Sequence, residues 1–304
     1  MNCSLVSGNL FGIINVNKPV KFTSHDVVSK LRKILNIRQI GHTGTLDPLA
    51  VGVLPVCIGK ATRIIQYLEG SKAYRAYVKL GIRTNTYDAD GEIIEDNPVN
   101  LDLQRIQDAL KEFQGEITQK PPIYSAVHYK GKRLYEYARA NIEVEDIPER
   151  NVHINSIELL DILNKDSDHP TLIVDIDCSG GTYIRSIAND LGDILGYGAS
   201  LDSLIRTKSG RFTIDKSHSL EEIQEFFRSG RLNEILINPV DVINLERVSI
   251  TEDQINKVTK GQYIKICDEN KLANIEKIQL IYENKLIAIA RIEEDKAFPI
   301  NVFV

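Results

Sequence analysis

No apolar run in this sequence approaches the length that a bilayer-crossing helix needs, so a helical membrane protein is excluded. The opening "MNCSLVSGNLFGIINVNKP" has no basic segment ahead of its apolar part, so no secretory leader is expected and the expected location is cytoplasmic. Cysteine is scarce and scattered. Cys3, Cys57, Cys178 and Cys267 show no CxxC spacing, which speaks against a disulfide framework and a zinc site and leaves them as small apolar fillers in a reducing compartment. Internal repeats and low-complexity tracts are absent. Positive charge is in deficit, with 37 Lys and Arg against 42 Asp and Glu and a formal net charge of -5. That balance disfavours nucleic acid as a partner unless the basic residues cluster, because phosphate binding needs local positive charge. What is present is an ordinary soluble composition, 42% hydrophobic and 26% charged over 304 residues, long enough for a sizeable core. Two domains, or one large domain with an appendage, are expected.

Hydrophobic spacing sets the coarse organisation. "TSHDVVSKLRKILN", residues 23–36, places Val27, Val28, Leu31, Ile34 and Leu35 on one helical face behind a Thr or Ser cap, with Asp26 in the first turn. Lys30, Arg32 and Lys33 on its other face read as a solvated surface. "YRAYVKLGIRT" alternates Ala76, Val78 and Leu80 against Tyr77 and Lys79, a half-buried strand. "NLDLQRIQDALKEFQG" reads as an amphipathic helix with Asn100 as cap and Gly115 as stop, and "TLIVDIDCSGG" as a strand. "TYIRSIANDLGDILG" is then a helix burying Ile184, Ile187, Ala188, Leu191 and Leu195. Strands and helices without regular βαβ alternation indicate an α+β class. From about residue 246 the texture becomes strand-rich: "KIQLIYENKLIAIARI" reads as two strands around a Glu-Asn turn.

Several familiar signatures fail on inspection. "LPVCIGKAT" has Gly59 and Lys60 of a phosphate loop, but Leu54 replaces its first glycine and Ala61 the magnesium-binding Ser or Thr. "TYDADGEIIEDN" has Thr86 and Asn97 where a calcium loop needs Asp and a bidentate Glu, so it reads as a strand-connecting turn. "GYGAS" lacks the third glycine of a dinucleotide site.

Two oddities survive. Asp47 precedes Pro48, which biases it toward extended backbone, while Gly41, Gly44 and Gly52 permit tight paths around it. A plain turn-capping aspartate is the competing reading. Arg185 falls in the first turn of its helix, where the macrodipole disfavours a cation, so it calls for an anionic partner or else snorkels outward. A constrained acid and a misplaced arginine answer each other as one bidentate pair.

These residues lie in a segment, "GHTGTLDPLAVGVLPVCIGKATR", that closely resembles the catalytic motif of the bacterial tRNA pseudouridine-55 synthases. The resemblance continues in "NKPVKFTSHDVV", "KAYRAYVKLGIRTNTYDADGE", "PPIYSAVHYKGKRLYEYAR", "CSGGTYIRSIANDLG" and "LIRTKSGRF", covering most of residues 11–213. It implies a cofactor-free isomerisation in which the uracil at position 55 of the tRNA T loop is detached from C1′ of its ribose, turned, and rejoined through C5. It implies Asp47 as the essential carboxylate, Arg185 beside it, Tyr74 against the flipped base, and Tyr183 and Leu204 in the pocket. One carboxylate can stabilise, capture or relieve the positive charge that bond cleavage builds on the ribose. The target base must be extruded from its loop, and His42 matches the histidine the family uses there. Lys18, Lys60, Arg63, Lys130, Lys132, Arg133 and Arg139 lie in the family blocks, and clustering on one face would answer the charge objection.

The implied architecture is a mixed, mainly antiparallel sheet in a catalytic domain over residues 1–245, followed by a small β-rich, PUA-like RNA-binding domain over 246–304. The implied partners are the T arm and acceptor stem of tRNA, with no membrane, and the chain is expected to act as a monomer. Departures from the family pattern are Lys21 for the glycine of KPxG, expected to alter that turn slightly, His128 for a common lysine and Ile205 for a common arginine. The main rival is a non-catalytic tRNA-binding or tRNA-folding protein on the same scaffold. A sugar hydrolase would show a second cooperating carboxylate, and only Asp47 has a constrained setting in the sequence.

Overall fold

The alternation of Lys72–Leu80 places this strand at the middle of a nine-stranded sheet. Residues 10–304 are described by the computed structural model, apart from positions 69, 141, 145 and 267–274. Cys3 and Cys267 therefore lie outside the described residues, while Cys57 and Cys178 are free and buried. The main path of the sheet runs Gly12–Lys18, Ala50–Ile58, Ala199–Ser209, Lys72–Leu80, Thr171–Cys178, Arg150–Leu163 and Gly115–Gln119. Every pairing is antiparallel except Ala199–Ser209 with Ala50–Ile58, which is parallel. The class is therefore α+β with a mixed, mainly antiparallel sheet.

Helices cover the apolar side. Ser24–Leu35 starts at a capping box between Thr23 and Asp26 and buries Val27, Val28, Leu31 and Leu35. Ile184–Leu195 buries the predicted apolar stripe. The helix expected after Asn100 runs Leu103–Lys111, and its cap is Asp102, whose carboxylate accepts the Arg105 amide at 3.1 Å. Asn100 instead turns its carbonyl to the Tyr197 hydroxyl, and Gly115 opens the next strand rather than stopping the helix.

The C-terminal residues form a five-stranded sheet in the order Glu246–Ser249, Lys277–Tyr282, Lys285–Glu293, Lys296–Val302 and Ile264–Lys265. The Glu-Asn turn is as read, with Glu283 and Asn284 both at positive φ. One face of this sheet has its own core around Val258, Ile278 and Leu280. The other is continuous with the main body: Leu286, Ile289 and Phe303 share a buried cluster with Ile13, Val53, Cys57, Ile64 and Phe212.

Candidate active site

The loop between Ile40–His42 and Ala50–Ile58 carries Asp47, and its backbone is held on both sides of that residue. Ser24 Oγ, at the start of a helix and 2% exposed, accepts the Leu46 amide at 2.8 Å and donates to the Leu46 carbonyl at 3.2 Å. On the far side the Pro48 carbonyl accepts the Lys21 amide at 2.8 Å and the Lys18 ammonium at 3.4 Å. With Leu46 buried in the core, Asp47 is aimed by its neighbours rather than by its own turn. Its carboxylate opens into a cavity of 1190 Å³ also lined by His42, Tyr74, Tyr183, Arg185 and Leu204.

Arg185 is 5% exposed and meets Asp47 through Nε, 3.0 Å from Oδ2. The expected bidentate fork does not form. The rest of the guanidinium is committed elsewhere: Nη1 lies 3.1 Å from Asp88 Oδ2 and 3.4 Å from the Thr86 carbonyl, and Nη2 donates to the Tyr124 carbonyl at 2.9 Å. The Nε–H points off the line to Asp47, so that contact is an ion pair rather than an aligned hydrogen bond.

Asp88 is the functional-site residue that sequence reasoning missed. Its segment is the strand-connecting turn that was expected, between Ile82–Thr84 and Ile93–Asp96, yet the turn also builds one wall of the cavity. Asp88 is 5% exposed, and its Oδ1 accepts from the Thr86 hydroxyl at 2.6 Å and the Asp90 amide at 3.2 Å. The site therefore holds a second constrained acid, and Asp47 is not alone. The two differ in setting: the Asp88 side chain is 6% exposed, whereas that of Asp47 is 36% exposed to the cavity.

Burial raises the Asp47 carboxyl above its ordinary value, the Arg185 charge opposes that rise, and the Asp88 charge adds to it. Burial likewise raises the Tyr74 hydroxyl, with Arg206 opposing. His42 is lowered by burial and then by Arg206, so it is neutral at pH 7, and its buried Nδ1 has no well-aligned hydrogen-bond partner among the described residues.

Tyr74 and Leu204 stand on neighbouring strands, on the sheet face that floors the cavity. Tyr183 enters from the segment preceding its helix, where Gln119 clasps both its amide, at 2.9 Å, and its carbonyl, at 3.2 Å. Of the basic residues, Arg133 and Arg139 line the cavity, and Lys130 and Lys132 extend it along the exposed hairpin His128–Tyr129 and Lys132–Arg133. Lys60 and Arg63 sit elsewhere, on the turn of helix Gly59–Tyr67, with Arg63 bonded to the Val302 carbonyl. Lys18 is a correction. It is 0% exposed, and its ammonium is wrapped by the carbonyls of Pro19, Phe22 and Pro48, so it cannot reach an RNA phosphate. Burial lowers its pKa to about 8.

Fold and site together define a carboxylate-centred enzyme on a mixed, mainly antiparallel sheet. The model of the TruB family pseudouridylate synthase N-terminal domain matches residues 32–184, and that of the tRNA pseudouridylate synthase B C-terminal domain matches 185–243. Relatives named tRNA pseudouridine synthase B include one from Gloeothece citriformis, 42% identical over 90% of this chain and 88% of its own length. Another, from Heliobacterium mobile, is 43% identical over 93% of this chain and 90% of its own. Among solved structures, a chain of a Cbf5-Nop10-Gar1 complex superposes with a TM-score of 0.71 at 27% identity, covering 97% of this chain and 85% of that one. The chain belongs to the TruB family of pseudouridylate synthases.

Proposed function

We propose that this protein converts uridine 55 in the T loop of tRNA to pseudouridine. The observation that carries the reading is the Asp47–Arg185 contact in a cavity lined by Tyr74, Tyr183 and Leu204, in a chain of this family. Substrate and product have the same atoms, so the reaction needs no external electron or group donor. The N1–C1′ bond breaks with its electron pair leaving on uracil, the base turns, the C5–C1′ bond forms, the C5 proton is lost to restore the ring, and N1 takes up a proton, so one proton leaves and one enters. Asp47 meets the positive charge on the ribose, by capture at carbon or by taking a ribose proton, and Arg185 keeps it ionised. Tyr74 and Leu204 hold the base, and Tyr74 faces the C5 proton. His42, neutral and lining the cavity, takes the place of the extruded base.

Residues 1–245 form the catalytic domain in this reading and 246–304 a PUA-like module for the acceptor stem. The T arm lies along Arg133 and Arg139 and the Lys130–Lys132 hairpin, with Lys60 and Arg63 serving the stem nearer the C-terminal sheet. The chain acts as a monomer in the cytoplasm. Incubation with unmodified tRNA transcript followed by pseudouridine mapping tests the reading, with Asp47→Asn as control. Wild type should modify position 55 alone in the T loop, and Asn should bind tRNA without turnover. Binding without modification by wild type would make it a tRNA-folding protein on this scaffold, and Asn turnover within severalfold of wild type would remove Asp47 from the chemistry.

A further inference from the structure

Arg206 is among the largest fully buried side chains of the molecule, at 0% exposure, and among the described residues it forms no ion pair with a carboxylate. A buried guanidinium is expensive to desolvate unless its donors are used, and here they are used on the site itself. Its Nε donates to the Val53 carbonyl at 2.7 Å, Nη1 to the Thr45 carbonyl at 3.3 Å and Nη2 to the Gly44 carbonyl at 3.2 Å. Its directly opposed residue in the antiparallel ladder is Tyr74, so the two side chains share one sheet face, and the guanidinium charge counters the rise that burial imposes on the Tyr74 hydroxyl. The backbone is shaped to bring it there. A register irregularity follows immediately, between Arg206 and Lys208, and such bulges re-aim side chains. On the other side a Cβ at Gly52, which sits at φ +103, would stand 2.4 Å from the Arg206 carbonyl oxygen, so only glycine lets the two strands meet.

We propose that Arg206 is a positioning residue for the reaction, holding the Tyr74 hydroxyl and the Gly44–Thr45 backbone that leads into Asp47 as one unit. The proposal rests on the pseudouridine synthase reading above. The base-side group comes from a strand and the ribose-side group from a loop. Their relative placement decides whether C5 meets C1′ after the base has turned, and misplacement of such groups by a fraction of an ångström slows chemistry strongly. Arg206 is a rigid fork between them. Lysine keeps the charge but presents a single nitrogen and cannot serve three carbonyls and a hydroxyl in that geometry.

The test is a double-mutant cycle on single-turnover pseudouridine formation, with tRNA affinity measured separately and circular dichroism as the folding control. Arg206→Lys should lose about tenfold or more in rate while tRNA affinity changes by less than about threefold. In a Tyr74→Phe background the same substitution should cost clearly less, because the hydroxyl it served is gone. Arginine ¹⁵N NMR supplies a readout independent of turnover: Tyr74→Phe, which removes one oxygen, should shift the Arg206 Nη signals and the Gly44 and Thr45 amides. Full activity of Arg206→Lys, or an additive loss in the two backgrounds, overturns the proposal. If Arg206→Lys does not fold, unmoved signals in Tyr74→Phe overturn it and shifted ones uphold it. Absence of pseudouridine with the wild-type protein would sink the parent reading instead, and the NMR coupling would still decide whether Arg206 joins Tyr74 to the loop.

Discussion

Arg185 reaches Asp47 through Nε alone, 3.0 Å from Oδ2, and turns its Nη1 to Asp88 at 3.1 Å. One guanidinium thus serves two acids of different exposure, and its outer donors anchor it so that its inner edge can face the Asp47 carboxylate. This explains a cation in the first turn of Ile184–Leu195, where the helix dipole opposes it.

Arg185 substitutions should move the pH profile. In the proposed reaction turnover requires ionised Asp47, so the rate should rise with pH through the Asp47 pKa. Arg185 is the largest influence pulling that pKa down against burial. Arg185→Met removes it, the pKa rises further, and the rising limb should move to higher pH with a large loss of rate at neutrality. Arg185→Lys keeps the charge, so its limb should move less, although its rate falls because one ammonium cannot meet Asp47, Asp88 and the Tyr124 carbonyl together. Single-turnover rates across pH check this, and a wild-type profile in the Met variant would show that Arg185 does not act through Asp47.

Asp88→Asn should shift the limb the other way. The amide oxygen can still accept from Thr86 and Asp90, but the amide nitrogen then faces Arg185 Nη1, donor against donor. The anchor is lost, and the expected cost is about 1–3 kcal/mol in stability with a fall in rate of about tenfold or more. Because the Asp88 charge raises the Asp47 carboxyl, its removal should move the acid limb to lower pH. Thermal melting and the pH profile test the two halves separately.

The parts of this site carried by local pattern were legible in the sequence, and those carried by long-range pairing were not. The helix Ser24–Leu35, the strand Lys72–Leu80 and the Asp47 loop declare themselves through spacing, a cap and glycines. Asp88 meets Arg185 across 97 positions, and its own segment carries only a turn signal, so nothing local marks it. Arg206 and Lys18 did leave a trace. Each continues the inward alternation of its strand, after Leu204 and after Val16, so each is a charge on a buried face. Applied to those strands, the period-two rule would have placed both inside and withdrawn Lys18 from the RNA-contacting set.

Lys21 occupies the left-handed region at φ +66, a conformation that glycine adopts without penalty, and its amide still reaches Pro48. A left-handed backbone costs a side-chain-bearing residue about 1–2 kcal/mol, partly offset in a glycine variant by greater freedom of the unfolded chain. Lys21→Gly should therefore stabilise the fold by up to about 1 kcal/mol with the Asp47 loop unchanged. A lowered thermal midpoint would mean that the lysine side chain contributes contacts that outweigh its backbone strain.

The C-terminal sheet is expected to support the fold as well as to meet RNA. Every proposed active-site residue precedes residue 246, which taken alone would leave the catalytic body intact when residues 246–304 are deleted. The shared cluster argues otherwise. Phe303 packs on Phe11 with ring centroids 5.5 Å apart, and Leu286 and Ile289 cover Ile13, Val53, Cys57 and Ile64, all of them 0% exposed. Val53 and Cys57 belong to the strand that follows the Asp47 loop, so uncovering them disturbs the strand that aims the acid. Each large side chain returned to water costs roughly 1.5–3 kcal/mol, and several are returned at once. The truncated chain should melt at a much lower temperature and lose activity on full-length tRNA and on an isolated T-arm hairpin alike. A surface change on the same sheet separates RNA contact from this support. Tyr263, 47% exposed, packs at a tilt against Phe298 with Lys296 over its ring, so Lys296→Glu replaces a half-buried cation outside the core. That variant should keep the wild-type melting temperature, bind full-length tRNA more weakly, and leave the hairpin unaffected. A truncated chain as stable as the whole would show that the shared cluster adds nothing to the fold. A Lys296→Glu protein that binds both RNAs as wild type does would show that Lys296 does not belong to the proposed acceptor-stem surface.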